Sequence, residues 1–126
     1  MKIENLIKEI INTNNNILIF GAIGIGKNNT IVKTLKSLDE NFITIRCNLV
    51  YSDEIEEIIS EHKDYVIIFE DIDKAHIDVQ NKCFIYGFER EKSNIFVSEN
   101  IDNFDDIILN KLMIFDYNEI INIKNN

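Results

Sequence analysis

The hydrophobic positions of the chain alternate between helical and strand-like spacing. In the first segment apolar residues recur at intervals of three and four, which places them on one face of a helix. These residues are Ile3, Leu6, Ile7, Ile10 and Ile11. The short apolar run Ile17–Phe20 follows and ends at a group of glycines, as is typical of a strand buried on both faces.

The same alternation continues through the rest of the sequence. Further helices are predicted around residues 31–38, 53–62, 77–91 and 104–110, and further strands at 42–47, 65–69, 95–98 and 112–115. Asp53 and Glu56 have capping-box spacing at the start of the 53–62 helix. Strands that alternate with helices form parallel sheets with right-handed crossovers. The pattern therefore predicts one three-layer α/β/α domain over residues 1–126, with a five-stranded parallel sheet.

Composition and charge narrow the functional classes. The length of 126 residues suits a single domain and excludes a two-domain enzyme. No apolar run is long enough to span a bilayer, so we expect a cytoplasmic protein without a membrane partner. A formal charge of −9 disfavours direct binding to nucleic acid. Cys47 and Cys83 lack metal-ligand spacing and are predicted to be buried, reduced thiols.

The glycine-rich segment after the first strand carries the most specific chemistry. Gly21–Asn28 reads G-A-I-G-I-G-K-N, which matches the phosphate-binding pattern G-x-x-x-x-G-K except at the position that follows the lysine. Glycines allow backbone N–H groups to surround a phosphate, and Lys27 would reach the β and γ oxygens. The predicted nucleotide contacts are Gly21, Gly24, Ile25, Gly26, Lys27, Asn28 and Asn29.

Two adjacent acids follow the third predicted strand. Glu70 and Asp71 come directly after an apolar run, and ligands of parallel sheets bind beyond the carboxyl ends of the strands. These carboxylates are therefore expected near the glycine loop. One of them would hold Mg²⁺ and the other would polarise an attacking water molecule.

With the loop and the acids in this order, the chain resembles the AAA+ ATPases within the additional-strand class of P-loop proteins. Residues 70–75 look like the Walker B stretch of that family, although the two acids are in reverse order. Residues 95–100 look like the strand that leads to the sensor 1 residue, with Asn100 at that position and Ser98 as the alternative. Lys111 stands where the family often has a basic finger.

The resemblance implies ATP and Mg²⁺ as ligands, and roles for particular residues. Asn28 and Glu70 would lie near the metal, Asp71 would activate water, Asn100 would orient it, and Lys111 would serve a neighbouring site. The family completes its sites across subunits, so a homo-oligomer or a larger ATPase partner is implied. The nearest analogies are helicase loaders and clamp-loader subunits, which would bring nucleic acid into contact only through the assembly.

Several departures from the family pattern leave two functions open. Asn28 replaces the usual Ser or Thr, Glu70 is one methylene longer than the usual Asp, and Asp71 is one shorter than the usual Glu. Residues 118–126 leave no room for the helical lid of the family. The chain is predicted to be either a slow or partner-dependent ATPase, or a degenerate P-loop domain that acts as a structural or adaptor module. No GTPase base-recognition motif is present, and the only two arginines, Arg46 and Arg90, are read as surface charges rather than a kinase lid.

Overall fold

Helices and strands alternate through residues 2–22, 24 and 26–118, which are the residues that the computed structural model describes. The helices are α1 (Ile3–Thr13), α2 (Lys27–Ser37), α3 (Ile55–Glu61), α4 (Ile77–Phe88) and α5 (Asp106–Leu109). The strands are β1 (Ile17–Phe20), β2 (Phe42–Arg46), β3 (Val66–Glu70), β4 (Asn94–Ser98) and β5 (Met113–Asp116). The predicted order of elements is confirmed, with ends that shift by a few residues. None of these helices is long and apolar enough to cross a membrane.

The five strands form one parallel sheet in the order β2-β3-β4-β1-β5. The predicted five-stranded parallel sheet is therefore confirmed. The strand β1 lies between β4 and the edge strand β5, and its residue Ile17 is aligned with Ile95 on β4 and with Met113 on β5. Because all strands run in the same direction, the carboxyl ends of β1, β3 and β4 lie at the same edge of the sheet. The glycine loop and the two acids thus share an edge, with β4 between the strands that carry them.

Side chains that alternate along the strands fill two apolar cores, one on each face of the sheet. On β1, Ile17 and Ile19 pack against α1 and α2, whereas Leu18 packs against α3 and α4. This alternation follows from the two-residue period of a strand. It accounts for the uninterrupted apolar run in the sequence, because a strand covered on both faces needs apolar residues at every position.

Aromatic rings fill the core between the sheet and α4. The ring of Phe96 lies 4.7 Å from the rings of both Phe69 and Phe84, measured between centroids. A Cβ atom at position 87 would lie 3.3 Å from Phe96, so the glycine within α4 allows the helix to approach this ring closely. Large aromatic side chains are a major source of buried apolar area, and this cluster anchors α4 on β3 and β4.

The two cysteines lie side by side in this core. Both are free and buried, with the sulfur atoms 3.9 Å apart. The prediction of buried thiols is confirmed. The neighbouring Cys83 thiol and burial together raise the pKa of Cys47, so the Cys47 thiol is held in the uncharged form.

The start of α3 differs from the prediction. The expected capping box of Asp53 and Glu56 is wrong, because a 3₁₀ turn at Ser52–Glu54 precedes the helix. The carboxylate of Glu54 accepts a hydrogen bond from the backbone N–H of Tyr51 at 2.9 Å. The acid that accepts the capping hydrogen bond is therefore Glu54, two residues before the predicted Glu56. The tighter 3₁₀ turn satisfies the first backbone groups before α3 begins.

Arg90 is also placed differently from its prediction as a surface charge. Its guanidinium is partly buried beyond the end of α4 and donates to the backbone carbonyls of His62, Tyr65 and Ser93. Burial lowers the pKa of Arg90 to about 10. The residue links α4 to the amino ends of β3 and β4, which the sequence prediction missed.

Candidate functional site

A cavity of about 430 Å³ lies at the carboxyl edge of the sheet. The loop and the start of α2 contribute Gly24, Gly26, Lys27, Asn28 and Asn29 to its lining. The ends of β3 and β4, with the residues that follow them, contribute Glu70, Asp71, Lys74, Ser98 and Glu99. The structure therefore brings the two predicted elements, the glycine loop and the paired acids, to one cavity.

The glycine loop adopts a backbone conformation that other residues avoid. Gly24 and Gly26 have φ angles of 82° and 87°. A Cβ atom at either position would meet nothing within 4 Å, so the backbone angle rather than crowding requires glycine here. Ile25, a predicted nucleotide contact, lies outside the described residues.

The beginning of α2 faces the same cavity without a side-chain cap. Gly26 is the N-cap residue, it offers no side-chain hydrogen bond, and the first turn contains no acidic residue. The first backbone N–H groups of a helix have no partner within the helix, and they carry its positive dipole end. The side chains of His76 and Asp105 cap α4 and α5, whereas α1 and α3, like α2, have no side-chain cap. The start of α2 is thus suited to a negatively charged ligand.

Lys27 is the first residue of α2, and its ammonium group returns to the glycine loop. The Nζ atom donates to the carbonyl oxygens of Gly21, at 2.5 Å, and Ala22, at 2.9 Å. Burial lowers the pKa of Lys27, while the negative charges of Glu99 and Asp71 oppose this effect. The ammonium group is therefore held by its own loop, close to the carboxylates of the cavity.

Two hydrogen bonds fix the beginning of the loop to its neighbours. The N–H of Gly21 donates to the carbonyl of Ser98 at 3.2 Å, which continues the pairing of β1 with β4. The N–H of Ala22 donates to Oδ1 of Asn118 at 3.0 Å. The loop is thus anchored on both sides of β1. The contribution of Asn118 had no signal in the sequence, because the two residues are 96 positions apart.

The two predicted acids occupy different backbone conformations. Glu70 is the last residue of β3, and the N–H of Cys47 donates to its carbonyl at 3.0 Å. Asp71 has a φ of 56° and a ψ of 40°, in the left-handed region. Short polar residues such as Asp and Asn tolerate this region better than longer side chains. The backbone therefore favours aspartate at position 71, which gives a physical reason for the reversed order of the acids.

Buried oxygen atoms without a hydrogen-bond partner lie in or beside the cavity. Among the described residues these are Oδ1 of Asn28, Oγ of Ser98 and Oδ1 of Asp73. A buried polar atom left without a partner costs about 1 to 3 kcal/mol, so such atoms call for an explanation. Asn28 and Ser98 line the cavity, where a ligand or water molecule would supply the missing partner.

The oxygen donors of the cavity fit a magnesium ion. Asn28 provides an unpartnered amide oxygen and Glu70 a carboxylate, and Mg²⁺ prefers oxygen ligands. No cluster of three or more His, Cys, Asp or Glu side chains suited to a metal occurs in the described part of the chain. Mg²⁺ in nucleotide sites is usually held by one or two protein groups together with substrate phosphates and water.

Ser98 and Asn100, the two candidates for the residue that orients water, lie in different places at the end of β4. Ser98 is 2% exposed and lines the cavity. Asn100 is exposed, it is not part of the lining, and its Oδ1 accepts a hydrogen bond from the N–H of Asp102 at 3.3 Å. Glu99 between them lines the cavity and lies 3.7 Å from Nζ of Lys74. The sequence prediction did not include Glu99 or Lys74, since nothing in one sequence distinguishes them from other surface charges.

Lys111 lies away from this cavity. It precedes β5, and its ammonium group lies 5.6 Å from the centroid of the Phe88 ring. Four residues of β1 span about 13 Å, which places Lys111 near the edge of the sheet opposite to the glycine loop. Lys111 therefore does not contribute to the cavity of its own chain.

A larger groove of about 680 Å³ opens at the amino edge of the sheet. Its walls come from segments that precede strands, including Asn14, Asp64 and Lys92. Ligands of parallel sheets bind at the carboxyl edge, and this groove contains none of the glycine loop. The smaller cavity is therefore the better candidate.

No protein-family model and no curated protein sequence matches this chain. The fold and the site are therefore the features from which a function can be inferred. Together they define an α/β domain with a parallel sheet and, at the carboxyl edge, a cavity that combines a glycine loop, an uncapped helix start and paired acids.

Proposed function

We propose that the protein is an ATP-binding P-loop domain of the AAA+ type, which binds ATP with Mg²⁺ in the cavity at the carboxyl edge of the sheet. One observation carries the proposal: Lys27 begins α2 directly after the glycine loop and shares a cavity with Glu70 and Asp71. The sheet order supports it, because β4 lies between the loop strand β1 and the acid strand β3. This insertion is the feature for which the additional-strand class is named.

The phosphates of ATP would be held by the backbone of the loop and by Lys27. The N–H groups at the start of α2 would donate to phosphate oxygens, with the positive end of the helix behind them. Asn28 and Glu70 would hold the metal ion, directly or through water. Bound Mg²⁺ would neutralise part of the phosphate charge.

Hydrolysis, where it occurs, would be slow or dependent on a partner. Asp71 would polarise the attacking water, and its side chain is one methylene shorter than the usual glutamate of the family. A catalytic group misplaced by about 1 Å can lower a rate on the order of a hundredfold. Ser98, which lines the cavity, or the predicted Asn100 would orient the water.

A second subunit would supply the basic finger. Because Lys111 lies near the opposite edge of its own sheet, it would act only on the site of a neighbour. We therefore propose a homo-oligomer or a larger ATPase partner within a macromolecular, DNA-associated assembly. Light scattering should show a larger species when ATP is added, and Lys111→Ala should lower turnover more than binding. A protein that stays monomeric at all ATP concentrations, alone and with candidate ATPase partners, would contradict this part of the proposal.

The alternative is a degenerate P-loop domain that acts as a structural or adaptor module and binds nucleotide weakly or not at all. The specific observation in its favour is that Lys27 already donates to two carbonyl oxygens of its own loop. In that case the lysine would stabilise the loop rather than a phosphate.

Calorimetric titration with ATP, with and without Mg²⁺, distinguishes the two functions. In the ATP-binding case Lys27→Ala should weaken binding by about ten- to a hundredfold, as expected for loss of charge-assisted contacts. Lys33→Ala is the matched control, because Lys33 is an exposed lysine on the same helix. Absence of ATP binding in the unmodified protein would favour the adaptor, and equal binding by Lys27→Ala would exclude the glycine loop as the site.

A further inference from the structure

Lys74 and Glu99 form an ion pair on the wall of the same cavity. Lys74 ends the 3₁₀ turn Ile72–Lys74 after β3, and Glu99 directly follows β4. The Nζ atom of Lys74 lies 3.7 Å from Oε2 of Glu99, and the side chains are 37% and 41% exposed. Neither residue belongs to the glycine loop or to the paired acids, yet both line the cavity together with Lys27.

The backbones of both residues are fixed, while their side chains remain partly exposed. The N–H of Glu99 donates to Oδ2 of Asp73 at 3.2 Å, and the N–H of Lys74 donates to the carbonyl of Asp71 at 3.0 Å. The turn after β3 thus holds the two Cα positions at the cavity. Partly exposed ion pairs at such distances are weak, so the two side chains can separate at little cost.

The charges of the cavity create competition for its ammonium groups. Three carboxylates and two ammonium groups line it, which gives a sum of −3 + 2 = −1. Of the charges that act on Lys27, that of Glu99 raises its pKa most, and that of Lys74 lowers it. A polyphosphate would add several negative charges to this cavity. A polyphosphate would therefore bind more tightly if one carboxylate broke its contact with an ammonium group. That ammonium group could then bind a phosphate.

Lys74 is better placed than Lys27 to exchange its partner. Lys27 makes two hydrogen bonds to carbonyl oxygens of its loop, whereas Lys74 has the weaker contact with Glu99. We propose that Lys74 binds the terminal phosphate of a nucleoside triphosphate, and that Glu99 competes with this phosphate for the Lys74 ammonium. The proposal rests on the proposed ATP-binding function. In it, the Lys74–Glu99 pair allows the same site to distinguish triphosphates from diphosphates.

The consequence is a preference for the longer phosphate chain. A third phosphate would reach Lys74 and displace Glu99, whereas a diphosphate held by the glycine loop would leave the Lys74–Glu99 pair intact. Loss of the terminal phosphate would then allow the pair to form again. Lys74 would therefore contribute to ATP affinity but little to ADP affinity.

The test compares affinities of the full chain for ATP, ADP, inorganic triphosphate and pyrophosphate. Lys74→Gln should weaken ATP and triphosphate by about tenfold, and it should change ADP and pyrophosphate by less than about twofold. Lys74→Arg should retain most of the ATP affinity, because it keeps the positive charge. Glu99→Gln should tighten ATP by about threefold or more, and this gain should largely disappear when Lys74→Gln is also present. Lys63→Gln, on the groove at the amino edge, is the control.

The outcomes separate this inference from the proposed function. If the unmodified protein binds neither ATP nor triphosphate, both fail. If ATP binds and Lys27→Ala weakens its binding as predicted, but Lys74→Gln leaves the ratio of ATP to ADP affinity unchanged, only the inference is overturned. Weaker ATP binding by Glu99→Gln would also overturn it, because a competitor cannot strengthen binding of its rival. Thermal unfolding of each variant would show whether a change in affinity reflects loss of fold.

Discussion

The guanidinium of Arg90 donates a hydrogen bond to Oδ1 of Asn94 at 2.5 Å. Asn94 is fully buried at the start of β4, and its Nδ2 group donates to Oδ1 of Asn16 and to the carbonyl of Gly87. The pair thus connects the end of α4 with the amino ends of β4 and β1. Arg90, which was predicted from the sequence to be a surface charge, thus helps to hold α4, β4 and β1 together.

Replacement of Arg90 by lysine should lower the stability of the fold. A lysine keeps the charge but has three donors on a single nitrogen, whereas Arg90 donates to four oxygens, so at least one carbonyl or amide oxygen loses its donor. We expect the free energy of unfolding to fall by about 2 kcal/mol, measured by urea denaturation. Arg46→Lys is the control, since Arg46 is exposed at the end of β2, and it should change stability by less than about 0.5 kcal/mol. Equal stability of the two variants would contradict the role of Arg90.

The strands and helices were predictable because their signals are local. The spacing of isoleucines in α1 and the apolar run of β1 depend only on which faces are covered. The role of Arg90 was not predictable, because its acceptors at His62 and Tyr65 are 28 and 25 positions away. The Lys74–Glu99 contact is hidden for the same reason, since it arises from the adjacency of β3 and β4 in the sheet.

For the site, the sequence predicted the loop better than the residues around it. The glycines and Lys27 form one contiguous motif, and the structure places it at the carboxyl edge of the sheet. The choice between Ser98 and Asn100 depends on the side to which each residue points after the strand ends, which one sequence does not reveal. The left-handed backbone conformation of Asp71 was likewise not predictable from the sequence. The only indication is that aspartate tolerates this conformation better than most residues.

Asn28→Thr should tighten the binding of Mg²⁺–ATP. The amide oxygen of Asn28 is buried without a partner, and its longer side chain suits octahedral Mg²⁺ geometry less well than a hydroxyl does. We expect ATP affinity to rise about three- to tenfold with Mg²⁺, and little without it, in calorimetric titrations. Asn12→Thr, at an exposed position of α1 outside the cavity, is the control. A similar gain in the absence of Mg²⁺ would show that the threonine acts by another route.

Exchange of the two acids should raise turnover but lower stability. Glu70→Asp with Asp71→Glu restores the order found in the AAA+ family, and we expect phosphate release to increase on the order of tenfold. The glutamate would occupy the left-handed backbone of position 71, which should cost about 1 kcal/mol of folding free energy. Asp71→Asn is the control that keeps the backbone preference and removes the base. The explanation fails if the exchanged protein is as slow as the original while it still binds ATP.

Ser98 and Asn100 can be separated by their effects on turnover. Because Ser98 lines the cavity, Ser98→Ala should reduce phosphate release by about tenfold or more with little change in ATP affinity. Asn100→Ala should mainly disturb the turn to Asp102, with a smaller effect on the rate. The reverse order of effects would favour the family position, Asn100, as the residue that orients water.

The affinity for ATP should fall as the pH rises. The fall should begin at a lower pH than it would if Lys27 had the pKa of an ordinary lysine. Burial lowers the pKa of Lys27 from its ordinary value of 10.5, and only the protonated ammonium attracts phosphate. Affinity is therefore complete below the lowered pKa and is lost as the pH rises through it. Lys27→Arg should remove this dependence, because arginine keeps its charge up to about pH 12. Titrations between about pH 7 and pH 10 measure both proteins, and parallel curves would contradict the assignment.

The interior position of β1, between β4 and β5, governs when the cavity can form. Its partners begin far along the chain, since Ile17 is aligned with Ile95 and Met113, at separations of 95 − 17 = 78 and 113 − 17 = 96 residues. Pairings this distant make folding slow. During synthesis at about 5 to 20 residues per second, β1 would wait roughly 5 to 20 s for its second neighbour. For that time its apolar side chains would lack the neighbouring strands, so a nascent chain would be exposed to aggregation and could not yet bind a ligand in this cavity.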